Sequence, residues 1–153
     1  MIYTPAMIGA PLLITVAIQL GIQLYKVVFY SVRHAELQLW RFTSAGGMPS
    51  AHSAFVSALV ATLALHEGLD SSAFAVAAVL ASVVIFDAIR VRGVIERHSR
   101  QLRELHAERR ASAAGAAAVA GRAHEVGHSA AEVAIGVVVG AGVASAAYLV
   151  LVA

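Results

Sequence analysis

The chain has 153 residues, 59% of them hydrophobic and 13% charged, with a mean hydropathy of +0.78. A soluble domain carries roughly a quarter charged residues, so this composition describes a protein solvated by lipid. It contains no cysteine, which excludes a disulfide framework and a thiolate-held metal. The net charge of +2 is small, nothing points to nucleic acid, and the length suits one domain over 1–153.

A membrane helix needs ~20 mostly apolar residues, and four stretches approach that. The first, 5–30, runs from Pro5 to Tyr30 and carries Gln19, Gln23 and Lys26 toward its far end. It lacks the basic start of a cleavable signal, and its apolar run is too long for one. The second, 49–66, opens on Pro49, which suits a first helical turn because a missing N–H costs nothing there. The third, 71–90, follows an N-cap signal in Asp70-Ser71-Ser72 and ends at Asp87-Ala88-Ile89-Arg90. Beyond it Val91, Val94, Ile95, Leu102 and Leu105 recur at helical spacing among arginines, so the helix is expected to continue. Residues 111–121 are a low-complexity run of alanine and glycine, read as helix or hinge. The fourth stretch, 129–153, is almost unbroken Ala, Val and Gly. The expected fold is all-α: an integral membrane bundle of about four transmembrane helices, with a cytoplasmic helical extension between the third and fourth.

Arg33 and Arg41 lie in the first connection, and Arg90, Arg92, Arg97, Arg100, Arg103, Arg109, Arg110 and Arg122 in the third, whereas the second holds only Glu67 and Asp70. Basic loops stay on the cytoplasmic side. The expectation is therefore a multi-pass protein of the cell (inner) membrane with both termini outside. In the last stretch Gly136 and Gly140 form a small-xxx-small pattern that lets helices approach closely. Packing inside the monomer is the first reading of it, and a homodimer face the second.

On this topology Ser50 and His52 begin the second span, Asp87 ends the third, and His128 and Glu132 begin the fourth. All share the cytoplasmic face with Lys26, Arg41, Arg92 and Arg122. Ionisable groups in apolar helices are costly and tend to mark function. Two histidines, two carboxylates and several cations suit phosphate chemistry: cations hold the oxyanion, one imidazole attacks and the other moves protons. Singly, each residue has a bland reading. A histidine at a span boundary is more often a cap, Asp87 can pair with Arg90 or Arg92, and the arginines can face headgroups. The argument rests on their shared location.

The segment Gly46-Gly47-Met48-Pro49-Ser50-Ala51-His52-Ser53-Ala54 resembles the signature of the divergent branch of the phosphatidic acid phosphatase type 2/vanadium haloperoxidase superfamily. Phe86-Asp87-Ala88 with Arg92, and Gly127-His128-Ser129 with Glu132, Val133 and Gly136, are similar to its other elements. Against the wider superfamily, Lys26 and Arg33 keep a six-residue gap with His34 where a proline is usual. Ala51 stands for the glycine of Pro-Ser-Gly-His, and Arg122, His128 and Glu132 keep the third motif's spacing with Gly121 for serine and Glu for Asp. The resemblance implies a lipid-phosphate or isoprenoid-phosphate hydrolase without a metal or other cofactor, its site facing the cytoplasm. It implies that His128 attacks phosphorus while Glu132 holds its ring, and that His52 protonates the leaving oxygen and then activates water. Lys26, Ser50, Arg122, Gly46, Gly47 and Arg92 would surround the phosphate, with Asp87 and Arg41 supporting the site.

Two rivals remain. His124-Glu125-Val126-Gly127-His128 fits the HExxH pattern of zinc metalloproteases. Beyond Glu132, however, the chain has no Asp, Glu or His to complete the ligands, and the protease reading leaves Gly46–Ser53 unexplained. The other rival is a non-catalytic membrane protein whose basic face binds or moves anionic lipid.

Overall fold

A computed structural model of the chain describes residues 9–43, 47–112 and 129–152, with only some of the side chains beyond residue 90 in the third helix. The described residues form four α-helices: α1 Ala10–His34, α2 Ala51–Glu67, α3 Ser72–Ser112 and α4 Ala130–Leu151, with a short 3₁₀ turn at Leu39–Phe42. No strand occurs among them. The low-complexity run from 113 onward and the segment to 128 lie outside the described residues.

Local chemistry sets the helix ends. α1 carries Pro11 in its first turn, where a missing N–H is tolerated, and closes on Ala35 in the left-handed region at φ 51°. α2 is capped by Ser50, so Pro49 precedes the cap rather than opening the helix as its sequence position suggested. Ser71 caps α3: its Oγ accepts from the Phe74 N–H at 3.1 Å. α4 starts on a full capping box, in which Ser129 Oγ accepts from the Glu132 N–H at 3.2 Å and Glu132 Oε2 from the Ser129 N–H at 2.9 Å.

Three helices are long and apolar enough to cross a membrane: Ala10–His34, Ser72–Arg90 and Ala130–Leu151. The expected second span is shorter. With 17 residues, α2 falls below the length of the other three. It is also the helix around which the rest assemble, packing against α1, α3 and α4 and burying Ala51, Ser53, Ala54, Val56, Ala58 and Thr62. α3 runs on from Arg90 to Ser112 as one continuous helix. Its span buries only Ala77 and Ala81 and leaves Val76, Val79, Val83 and Phe86 exposed, the pattern of a lipid-facing helix.

α2 and α4 run parallel. At one end the Ser50 N–H donates to the Glu132 carbonyl at 3.0 Å, and at the other His66 Nδ1 meets the Tyr148 hydroxyl at 2.8 Å. Between these points the buried face of α4 is Val133, Gly136, Gly140, Ala144 and Tyr148. A Cβ on Gly140 would land on the Ala54 backbone, and one on Gly136 would lie 2.5 Å from the Ser50 carbonyl oxygen. The small-residue stripe therefore packs inside the monomer, where it lets two backbones touch. Ile14, Ile18 and Ile22 of α1 close the core against Ala51, Ala54, Ala58 and Tyr148.

Candidate functional site

Ala51 and Ala130 open helices that point the same way, and the Ser50–Glu132 hydrogen bond ties their first turns together. Each helix start carries the positive end of its dipole and N–H groups with no intrahelical acceptor. Two such starts side by side make one electropositive corner suited to an anion.

Ser50 sits at its centre, fully buried. Its hydroxyl accepts from the Ser53 hydroxyl at 3.0 Å and from the Ser53 N–H at 3.4 Å. A serine hydroxyl that accepts two bonds can still donate one. The loop before it is shaped by Gly47, at φ 79°, where an added Cβ would lie 2.9 Å from the Tyr30 hydroxyl. Both the backbone conformation and the tyrosine thus demand glycine.

α1 supplies the charge. Ile22 packs on Ala51, and Tyr30 reaches Gly47. Lys26, one turn from each, is 1% exposed, and the Glu132 carboxylate and Arg41 guanidinium are the charges that act on it. Arg41 is held in place by stacking: its guanidinium lies 4.2 Å from the Tyr30 ring centre and 4.4 Å from that of Trp40. Gln19 and Gln23 precede Lys26 along α1, and their buried amide oxygens have no hydrogen bond among the described residues. Burying Lys26, with Arg41 half-buried near it, is costly unless negative charge joins them, and among the described residues Glu132 supplies it. Such a corner attracts anions.

The expected residues divide accordingly. Lys26, Arg41, Gly47, Ser50 and Glu132 come together. His52 is on the first turn of α2 with an exposed side chain. Asp87 is exposed on α3. By helical rise it stands about 22 Å from Ser72, level with the start of α2. The Arg92 backbone continues α3, but its side chain, like Gly46, Arg122 and His128, lies outside the described residues. So do His124 and the HExxH pattern.

The geometry now meets the comparison that decides the family: the model of the divergent PAP2 family matches residues 8–143. The chain belongs to the divergent PAP2 family. The match takes in α1, α2, α3 and most of α4, and with them every residue of the corner. This family member is also similar to the uncharacterized membrane protein YuiD of Bacillus subtilis (strain 168), at 46% identity over 82 residues. That alignment covers 54% of this chain and 52% of the relative. No solved structure matches the chain.

Sequence reasoning placed Ser50, Lys26 and Glu132 here but missed Ser53, Tyr30 and the second role of Glu132. The Ser129-x-x-Glu132 spacing is a capping-box signal that was open to reading. Tyr30 left no such signal, because only the fold brings it to Gly47.

Proposed function

We propose that this divergent PAP2 family protein is a membrane phosphatase acting on a lipid or isoprenoid phosphate at the cytoplasmic face of the cell membrane. The observation that supports the reading is the buried Lys26, with the half-buried Arg41 near it, beside the joined starts of α2 and α4. A phosphate monoester suits two cations set beside two helix starts. In this reading α2 is the fourth span. It lies along α4 from Glu132 to Tyr148, shielded from lipid by its neighbours, so its roughly 25 Å need not meet the bilayer alone. The basic connections then face the cytoplasm together with the helical extension of α3.

The chemistry follows the resemblance. The His128 imidazole attacks phosphorus and the bond to the lipid oxygen breaks, with His52 donating a proton to that oxygen. His52 then takes a proton from water, which attacks the phosphohistidine and releases inorganic phosphate. Ser50, Lys26, Arg122 and the N–H groups opening α2 hold the phosphoryl oxygens. Arg92, Arg41 and Asp87 support them. Glu132 already accepts from the Ser129 N–H, which fixes its carboxylate one residue along from His128.

Purified protein incubated with phosphatidic acid, phosphatidylglycerophosphate and polyprenyl phosphates should release phosphate from at least one class. His128→Ala should abolish release, and His52→Ala should lower it about 10²–10⁴-fold. Activity should follow a bell-shaped pH profile, because one imidazole starts neutral and the other protonated. Unchanged turnover in both variants overturns the mechanism. One observation favours a non-catalytic, lipid-binding alternative: Ser50 and Glu132 are both engaged as helix caps. Phosphate-lipid binding without turnover, undiminished in His128→Ala, would decide for it.

A further inference from the structure

After α1 the chain makes a turn that is built inside out. Its polar Gln38 and Arg41 are half-buried, whereas Leu37, Leu39, Trp40 and Phe42 are 42–71% exposed. Leu39 and Phe42 are three apart in a 3₁₀ turn, which puts them on one face. Large apolar side chains gathered in this way form a patch, unlike the scattered exposure that every protein shows. The backbone of the turn is bonded to itself and to α1. The Glu36 N–H donates to the Ser31 carbonyl at 3.2 Å, and the Gln38 N–H to the Ser31 hydroxyl at 2.9 Å. The Arg41 N–H donates to the Gln38 carbonyl at 3.0 Å, and the Thr43 N–H to the Trp40 carbonyl at 3.3 Å. Internal bonding of this kind is what a non-helical segment needs where water is scarce.

The patch continues a surface that lipid already covers. α1 is long and apolar enough to span a membrane, and Val28 and Val32 near its end are exposed. Ser31, which tethers the turn, is next to Val32. From Ala10 to His34 the helix rises about 36 Å, more than the ~30 Å of a hydrocarbon core, so its ends reach the boundaries. Arg33, His34 and Glu36 are exposed at this end. A tryptophan beside charges at the end of a span is the composition of a membrane–water boundary.

We propose that Leu37–Phe42 is an interfacial anchor, its apolar side chains lying among the upper acyl chains of the leaflet on the corner's side. The tip of α1 then lies among the headgroups. Arg41 joins the anchor to the corner, since its guanidinium stacks on Tyr30 of α1 and on Trp40 of the anchor itself. Tyr30 is about 6 Å from Lys26 along α1. The corner therefore lies deeper than Trp40, and insertion of the turn fixes where Arg41 stands. Neither phosphate binding nor turnover enters this proposal.

Trp40 is the chain's one tryptophan and serves as the probe. Purified full chain is reconstituted in phosphatidylcholine vesicles with bromine near the headgroup end of the acyl chains, near their methyl end, or absent. Trp40 emission should lose most of its intensity to shallow bromine and little to deep bromine or to acrylamide in the water. In a Trp40→Phe background, Val79→Trp, on the exposed face of the α3 span, should reverse the order of the two lipid quenchers. Tyr25→Trp in the same background, one residue from Lys26, should fall between them. Leu37→Asp with Leu39→Asp should lift the turn into water, with a red shift of Trp40 emission, stronger acrylamide quenching and loss of shallow-bromine quenching. Quenching of the unaltered chain by acrylamide alone overturns the proposal, and so does deep bromine outdoing shallow. Emission shielded from all three quenchers, and unmasked when protein is diluted in lipid, also overturns it and gives the patch to a second copy of the chain.

Discussion

α4 presents two faces to its neighbours, and they use small residues for opposite ends. Toward α2 the small positions recur every fourth residue, at Gly136, Gly140 and Ala144, and the backbones meet with no room left for a methyl group. Toward α1 the small position is on the other helix, at Gly21, and there the helices stand apart. In a bilayer no hydrophobic effect drives helices together, so a contact holds only where packing is close. The α2 seam is thus what fixes the anion corner, and the α1 side is where the molecule can leave space.

The sharpest way to break this contrast is Gly140→Ala. The added carbon meets the Ala54 backbone, which cannot turn aside as a side chain would. Overpacking costs about 1–3 kcal/mol, and this position should sit at or above the top of that range, seen as loss of the folded species on heating in detergent. A wild-type melting temperature would refute the seam. Gly136→Ala should cost less, within the same range, since only the Ser50 carbonyl oxygen comes within 3 Å of the added carbon and the Cβ atoms of Ser50 and Ser53 stay at 3.2 Å. It should nevertheless disturb function more than Gly140→Ala does at equal stability, because those serines form the corner.

The contrast was only half visible in the sequence. The stripe at Gly136 and Gly140 announces a close approach by its spacing alone, and Ala144 continues it by the same step. Gly142 and Ala146, as small and as near, turn out to be exposed, which the four-residue step explains once the partner helix is known. The four apolar stretches and the cap at Ser71 were equally legible. So was the short length of α2, since 49–66 is hardly longer than the helix observed; hydropathy missed only that the helix starts after Pro49, on the Ser50 cap. The alternating topology already made α2 and α4 parallel, but sequence could not show that they touch at their starts. That follows from the path of the chain, as does the meeting of Tyr30 with Gly47. Lys26 could be flagged as a cation in an apolar stretch, yet its burial depends on three helices at once.

Ser50→Ala sharpens the link between seam and corner. It removes an N-cap, at about 1 kcal/mol, and the partner of the Ser53 hydroxyl. Ser50→Thr or Ser50→Asp should recover the capping part, since both cap well, but neither fits the fully buried space without displacing Gly136. If the corner binds phosphate, binding should therefore fall in all three variants while helix content recovers in the last two. Binding that tracks helix content alone would reduce Ser50 to a cap.

The smallest expected effect lies at the far end of the seam, where His66 and Tyr148 pair edge to face with ring centres 5.8 Å apart and share a hydrogen bond of 2.8 Å. Tyr148→Phe keeps the ring against Ile14 and Ala58 and removes only that bond. Interhelical hydrogen bonds in membrane proteins average about 0.6 kcal/mol, so the loss of stability should be of that order, well below that of Gly140→Ala. Phosphate-lipid binding should not change, because this pair is at the opposite end of α2 and α4 from Ser50 and Glu132. If Tyr148→Phe instead costs as much as Gly140→Ala, polar pairing and not backbone contact holds α2 to α4. The small-residue seam would then be a consequence of the fold rather than its cause.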